Sequence, residues 1–182
     1  MVEIPLKFEQ QIAEMRRVYD AYGLWHRSPT DGMIALRDND DFFVSQTKTD
    51  KTTMDAGDFS LITNISPVTN EVIFAGAKIP TSDVEFFIAL QQLPDFSYAA
   101  HFHHAETTRG SKFDTYDTGE VIEYGRFESA KKIVKAMHRI HRKALRLREH
   151  GWVFFGNNPN ELEEFVSNEL NISKILLKSK KL

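Results

Sequence analysis

The chain has no cysteine among its 182 residues. It therefore folds without disulfides, on hydrophobic burial alone, and at this length one domain spanning residues 1–182 is the expectation. The same absence removes zinc ribbons and thiol nucleophiles. Any metal has to be held by imidazoles and carboxylates, and seven histidines are available. Hydrophobic residues make up 41% of the chain, enough for a full core, with Phe unusually frequent at 14. A formal net charge of −3 argues against whole-protein attraction to nucleic acid. Residues 1–15 carry no signal-peptide pattern, and no apolar run approaches the roughly 18 residues of a membrane span. A cytoplasmic protein with neither nucleic-acid nor membrane partners is expected.

Apolar spacing places the elements. Phe8, Ile12, Met15, Tyr19 and Tyr22 recur at helical steps, with Gly23 as C-cap. Strands are predicted at Met33–Arg37 and Phe42–Val44 around the turn Asp38-Asn39-Asp40. A second strand pair, Leu61-Ile62 and Val72–Phe74, flanks the turn Pro67–Asn70. Ser82–Gln92 reads as a helix opened by a Ser82/Glu85 capping box, with Val84, Phe87 and Ile88 buried, and stopped by Pro94. Tyr98–His103 alternates as a strand, and residues 104–127 read as polar loop. A helix over Ala130–Ile140, strands at Ala144–Arg148 and Trp152–Phe155, and a helix over Glu161–Leu170 complete the pattern, with Lys178–Lys181 a fraying tail. Short strands alternating with helices predict an α/β or α+β layered domain.

The strongest local feature is His101-Phe102-His103-His104. On a strand, residues i and i+2 share a face, so His101 and His103 converge while Phe102 turns into the core. Two imidazoles so placed make half of a tetrahedral metal site, although a polar strand face looks the same. His150, at a glycine turn, is a candidate third ligand or a solvated turn residue. His138 and His141 lie among Lys135, Arg139, Arg142 and Lys143, which would repel a cation, and read as solvated; His26 has no partner in sequence. Residues 131–148 hold eight Lys/Arg and no acid, a solvated basic face rather than a nucleic-acid site.

Taken in order, Asp31–Arg37, Val44–Lys48, Pro80–Asp83, His101–His103 and Glu149–Gly151 form a series that resembles the class II aldolase/adducin family. That family includes fuculose-phosphate-type aldolases and ribulose-phosphate 4-epimerases, and the resemblance runs from about residue 8 to residue 166. It implies a three-layer α/β domain whose central, mainly antiparallel sheet is flanked by helices. It implies that His101, His103 and His150 ligate Zn²⁺ or another divalent cation. Asp83 stands where the aldolases carry a catalytic Glu and where the epimerases place an Asp that ligates the metal, so both a catalytic and a fourth-ligand role are implied. Thr47, Lys48, Thr81, Ser82 and Gly32 fall on the family's phosphate-binding loops. The Gly-Asn-x-Ser of one such loop reads Gly32-Met33-Ile34-Ala35 here, losing both polar groups. The implied activity is retro-aldol cleavage of a small sugar, sugar phosphate, or other aldehyde or ketone through a zinc-stabilised enediolate. The epimerase and the non-catalytic adducin-head module are the alternatives. Family aldolases use a Tyr from a C-terminal extension, and this chain has no Tyr after Tyr124. Asp114, Tyr116, Asp117 and Glu120 are the candidate acid/base groups in its place. A homo-oligomer, typically a tetramer, is implied.

Overall fold

The computed structural model describes residues 4–66, 68–69, 71–83, 85–92, 96–109, 111–140 and 142–175. Helix α1, Lys7–Tyr22, buries Phe8, Ile12, Met15, Val18, Tyr19 and Tyr22, and Gly23 closes it. Strands β1 (Met33–Asp38), β2 (Asp41–Ser45), β3 (Phe59–Ser66) and β4 (Glu71–Ala75) follow as an antiparallel meander. The short helix α2 (Glu85–Leu90) precedes β5 (Tyr98–Phe102). Next come α3 (Ala105–Arg109), a 3-10 segment over Ser111–Tyr116, β6 (Asp117–Val121) and α4 (Phe127–Ile140). Strands β7 (Ala144–Arg148) and β8 (Gly151–Gly156) lead into α5 (Pro159–Glu164), which continues as a π-turn over Phe165–Glu169. Among the described residues the eight strands form one sheet in the order β4-β3-β2-β1-β5-β8-β7-β6. Its pairs are antiparallel except β6 with β7.

Both faces of the sheet are covered, which is why its central strands read as continuous apolar runs rather than alternating ones. Ile34, Leu36, Tyr98, Ala100, Phe102, Trp152 and Phe154 pack against α1 and the α5 region. Met33, Ala35, Val44, Ala99, Leu145, Leu147 and Val153 pack against Phe86 and Phe87 of α2 and Ile133 and Ala136 of α4. The expected three-layer α/β architecture is the one observed. No helix among the described residues is long and apolar enough to cross a membrane.

The reading of residues 104–127 as loop is corrected: they contain α3, the 3-10 segment and strand β6. Strand β6 reads Asp-Thr-Gly-Glu-Val and has almost no apolar pattern. Charge fastens it to the sheet instead, through buried Asp117, which pairs with Arg146 and Arg148 of β7. The basic stretch that follows is largely consumed in the same way, by Lys132–Glu120, Lys143–Glu161 and the hydrogen bond from Arg142 to the Tyr116 hydroxyl. Helix α2 is shorter than predicted. Val84, Pro94 and the Glu85 side chain of the expected capping box lie outside the described residues, as do Pro67, Asn70, Gly110, His141 and Lys178–Lys181. The last helix starts earlier than predicted because Asn158 caps it, its side chain accepting from the Asn160 N–H, with Pro159 in the first turn.

One backbone contact sets the geometry of the sheet end. Gly32 has φ of 84° and lies flat against β5, where an added Cβ would collide with the His101 carbonyl oxygen. Gly32→Ala is expected to cost roughly 2–4 kcal/mol, from left-handed backbone plus overpacking. A urea midpoint equal to the parent's would show that this loop moves off β5 freely.

Candidate metal centre

Register brings the chemistry to one end of the sheet. Met33 at the start of β1 pairs with His101 near the end of β5, and Phe102 pairs with Trp152 near the start of β8. The two-residue β7–β8 connection, Glu149-His150, therefore opens beside the His101–His103 segment. Gly151 permits this closeness: a Cβ there would lie 2.7 Å from the Phe102 carbonyl oxygen and 3.0 Å from His101 Cε1.

His101 is fully buried. Its Nδ1 lies 2.9 Å from the Trp152 carbonyl, which can only accept, so Nδ1 carries the proton and Nε2 presents a lone pair. The His103 Nε2 is 3.0 Å from that lone pair. His150 approaches from the hairpin, its Nδ1 buried without a hydrogen-bond partner. Ligand atoms of these three residues lie within 4.8 Å of one another, so His101, His103 and His150 are a candidate metal-binding trio. Three converging nitrogens, one an orphan and one with its tautomer fixed from behind, are a donor set that fits a divalent ion such as zinc. The alternation predicted for Phe102, buried on the opposite face, is observed.

Burial and then the neighbouring imidazoles hold His101 well below its ordinary pKa. Burial, with His103 second, takes His150 down to about 4, and burial lowers His103. All three are neutral at pH 7, the state a metal requires. In the metal-free protein the unfolded chain takes up these protons first, so stability is full above about pH 6.5 and falls toward pH 4. The imidazoles are expected to lose a few kcal/mol across that window in urea titrations, offset in part by Asp83, whose pKa burial raises. His150→Gln should make the fall shallower, and a slope unchanged in that variant would contradict the burial of a neutral imidazole at 150.

Asp83 is not part of the trio. Its carboxylate, 7% exposed, accepts from the Thr81 hydroxyl at 3.2 Å. Burial raises its pKa to about 6 against the opposing pull of Thr81 and Lys51. Lys51 gave no signal in the sequence. It is 1% exposed, donates to the carbonyls of Thr30 and Thr49 at 3.1 and 2.8 Å, and burial lowers it to about 8. Asp31, also missed, has its negative charge near His103 and is held below the usual carboxylate range. Burial opposes that shift, and the Arg27 and Ser28 backbone N–H groups outweigh it. The Phe86 ring packs 4.7 Å from His101, and the exposed Tyr124 ring lies 6.0 Å from His150.

The expected substrate loops are neighbours: the Thr47 N–H donates to Ile79, and the Thr81 N–H to Ser45. Thr47, Lys48 and Ser82 are exposed there, while Thr81 is turned to Asp83 and Gly32 to His101. The four acid/base candidates from the 104–127 stretch are engaged elsewhere. Asp117 and Asp114 pair with Arg146, Tyr116 donates to Glu169, and Glu120 pairs with Lys132.

Residues 10–166 match the model of the Class II Aldolase and Adducin N-terminal domain. The chain belongs to this family. No curated protein matches the chain significantly. Among solved structures, an L-fuculose 1-phosphate aldolase superposes with a TM-score of 0.64 at 17% identity, covering 97% of this chain and 92% of that one. A sugar-phosphate aldolase from Thermotoga maritima gives 0.60 at 14% identity, covering 91% and 96%. An aldolase II superfamily protein from Pseudomonas syringae gives 0.66 at 9% identity, covering 92% and 75%. At such identities these likenesses establish the class II aldolase fold for this chain, and the chemistry rests on its own residues.

Proposed function

We propose that the protein is a metal-dependent lyase that cleaves a small hydroxylated carbonyl compound, a sugar or sugar phosphate, in a retro-aldol reaction. The supporting observation is that ligand nitrogens of His101, His103 and His150 lie within 4.8 Å of one another, with the His101 and His103 Nε2 atoms 3.0 Å apart and the His150 Nδ1 buried without a partner. These residues would hold a divalent cation, zinc being the best match to three imidazoles. When bound, that ion supplies Lewis-acid stabilisation of an enediolate.

The remaining work falls to the chain. Asp83 serves as proton acceptor and donor, because burial holds its pKa at about 6, near working pH. Lys51 balances its charge. Phe86 excludes water from the back of the trio, and Tyr124 stands at the front as a second proton-bearing group. Thr47, Lys48, Ser82 and the backbone at Gly32 contact the substrate. A homo-oligomer, in which a neighbouring copy completes the exposed side of the cluster, belongs to the same reading.

Metal analysis beside aldehyde release from a panel of ketoses and ketose phosphates tests the proposal. One divalent ion per chain and chelator-sensitive cleavage are expected; a metal-free protein indifferent to chelator would sink it. The shorter Asp at position 83 favours epimerisation as the second reading, distinguished by stereochemical interconversion without aldehyde release.

A further inference from the structure

A cavity of about 60 Å³ touches His103 and His150 and is lined also by His26, Thr108, Arg109 and Glu149. A larger one of about 540 Å³ shares Thr108, Arg109 and Glu149 with it and extends along β7. Together they lead from the trio to a roomier chamber of the size that takes small organic ligands. Three arginines and three acids, Asp114, Asp117 and Glu149, line the larger chamber; Arg146 and Arg148 are both bound to Asp117, and Asp114 also pairs with Arg146. Arg109 differs: its exposed side chain forms neither an ion pair nor a hydrogen bond among the described residues, although Glu149, also exposed, borders the same two cavities. The hydroxyl of Thr108, a residue 9% exposed, is buried without a hydrogen-bond partner between them. A buried hydroxyl left unpaired costs about 1–3 kcal/mol unless a ligand or water satisfies it.

We propose that Arg109 and Thr108 form a subsite for the terminal oxyanion, carboxylate or phosphate, of the substrate whose carbonyl end meets the His trio. This rests on the metal-dependent reading of the trio and adds the substrate class: a short, hydroxylated, anionic compound. A guanidinium offers paired donors that match the oxygens of either anion. The Thr108 hydroxyl donates to the same group. Glu149, across the cavity and without an ion pair of its own among the described residues, accepts from substrate hydroxyls. Two positions of the loops expected to hold the phosphate have turned inward. Met33 and Ala35 are fully buried in the core, and the Thr81 hydroxyl is given to Asp83.

The test uses the intact protein loaded with Co²⁺, whose visible spectrum reports the trio, and calorimetric titration with three four-carbon probes. These are erythronate for the carboxylate, erythrose 4-phosphate for the phosphate, and uncharged erythritol. At least one anionic probe is expected to bind at least tenfold more tightly than erythritol. Arg109→Ala should abolish that preference with the cobalt spectrum unchanged, Arg109→Lys should restore part of it, and Lys131→Ala, an equal loss of charge on the exposed face of α4, should leave it intact. Whichever anion shows the preference identifies the terminal group. Equal binding of all three probes, or an unchanged preference in Arg109→Ala, overturns the subsite while leaving the metal reading standing. Absence of the cobalt spectrum in the parent removes the metal reading and the subsite with it.

Discussion

His103→Ala is expected to reduce the bound metal from about one ion per chain to background and to lower any lyase activity on the order of a thousandfold or more. The fold should survive. His103 lies just past Phe102, the last residue of β5, and its side chain is only partly buried, so the sheet does not depend on it. Stability of the metal-free variant is expected within about 1 kcal/mol of the parent, in line with a half-buried side chain outside the core. Saturating metal separates the two proteins: a ligand at a thousand times its dissociation constant stabilises a folded protein by about 4 kcal/mol. The parent should gain such an increment and the variant should not. His138→Ala, an exposed change on α4, should behave as the parent. Full metal content in His103→Ala would refute the trio.

Asp117→Ala is expected to cost about 3–5 kcal/mol, because it takes the buried counter-charge away from a buried guanidinium. Asp117 is 3% exposed, and its Oδ2 accepts from Arg146 Nε and Nη2 at 2.9 and 2.6 Å. Its Oδ1 accepts from Arg148 Nε at 2.9 Å and from the Gly119 N–H at 2.6 Å. Arg146 is itself 5% exposed, and its second acid, Asp114, has a side chain 63% exposed, so Asp114 is too well solvated to take over. Removing both charges should cost less than removing one: Asp117→Leu with Arg146→Met is expected to be closer to the parent than Asp117→Ala alone. Hydrogen exchange at 117–121 should quicken selectively, since β6 has little apolar burial to keep it on β7. A cost under about 1 kcal/mol in equilibrium unfolding would mean that β6 is held by something else.

These two residues mark where the sequence was legible and where it was not. His101 and His103 could be read because strand alternation is local: two residues apart means one face, whatever the rest of the chain does. The apolar periodicity of α1 and the unbroken runs of β1, β5 and β8 were readable for the same reason. Strand β6 was not, because the force that seats it is a charge pair between residues far apart in the chain, and a polar pentapeptide gives no sign of it. Lys51 and Arg109 were equally silent. One is buried by loops that close over it and the other lines a cavity without an ion pair among the described residues, and each condition is a property of surroundings rather than of the residue.

The residue types alone restrict the kind of chemistry open to this protein. Without cysteine, a metal must be met by nitrogen and oxygen, and a His-x-His strand followed by a His-Gly turn supplies the nitrogen. The tertiary structure decided which groups meet. Antiparallel pairing of β5 with β8 carries His150 to His101 and leaves His138 on an exposed helix face. Burial, more than charge, keeps the three rings neutral, and the same burial holds Asp83 beside the Thr81 hydroxyl. Orientation, desolvation and the space between side chains are sums over contacts that exist only once the sheet has closed.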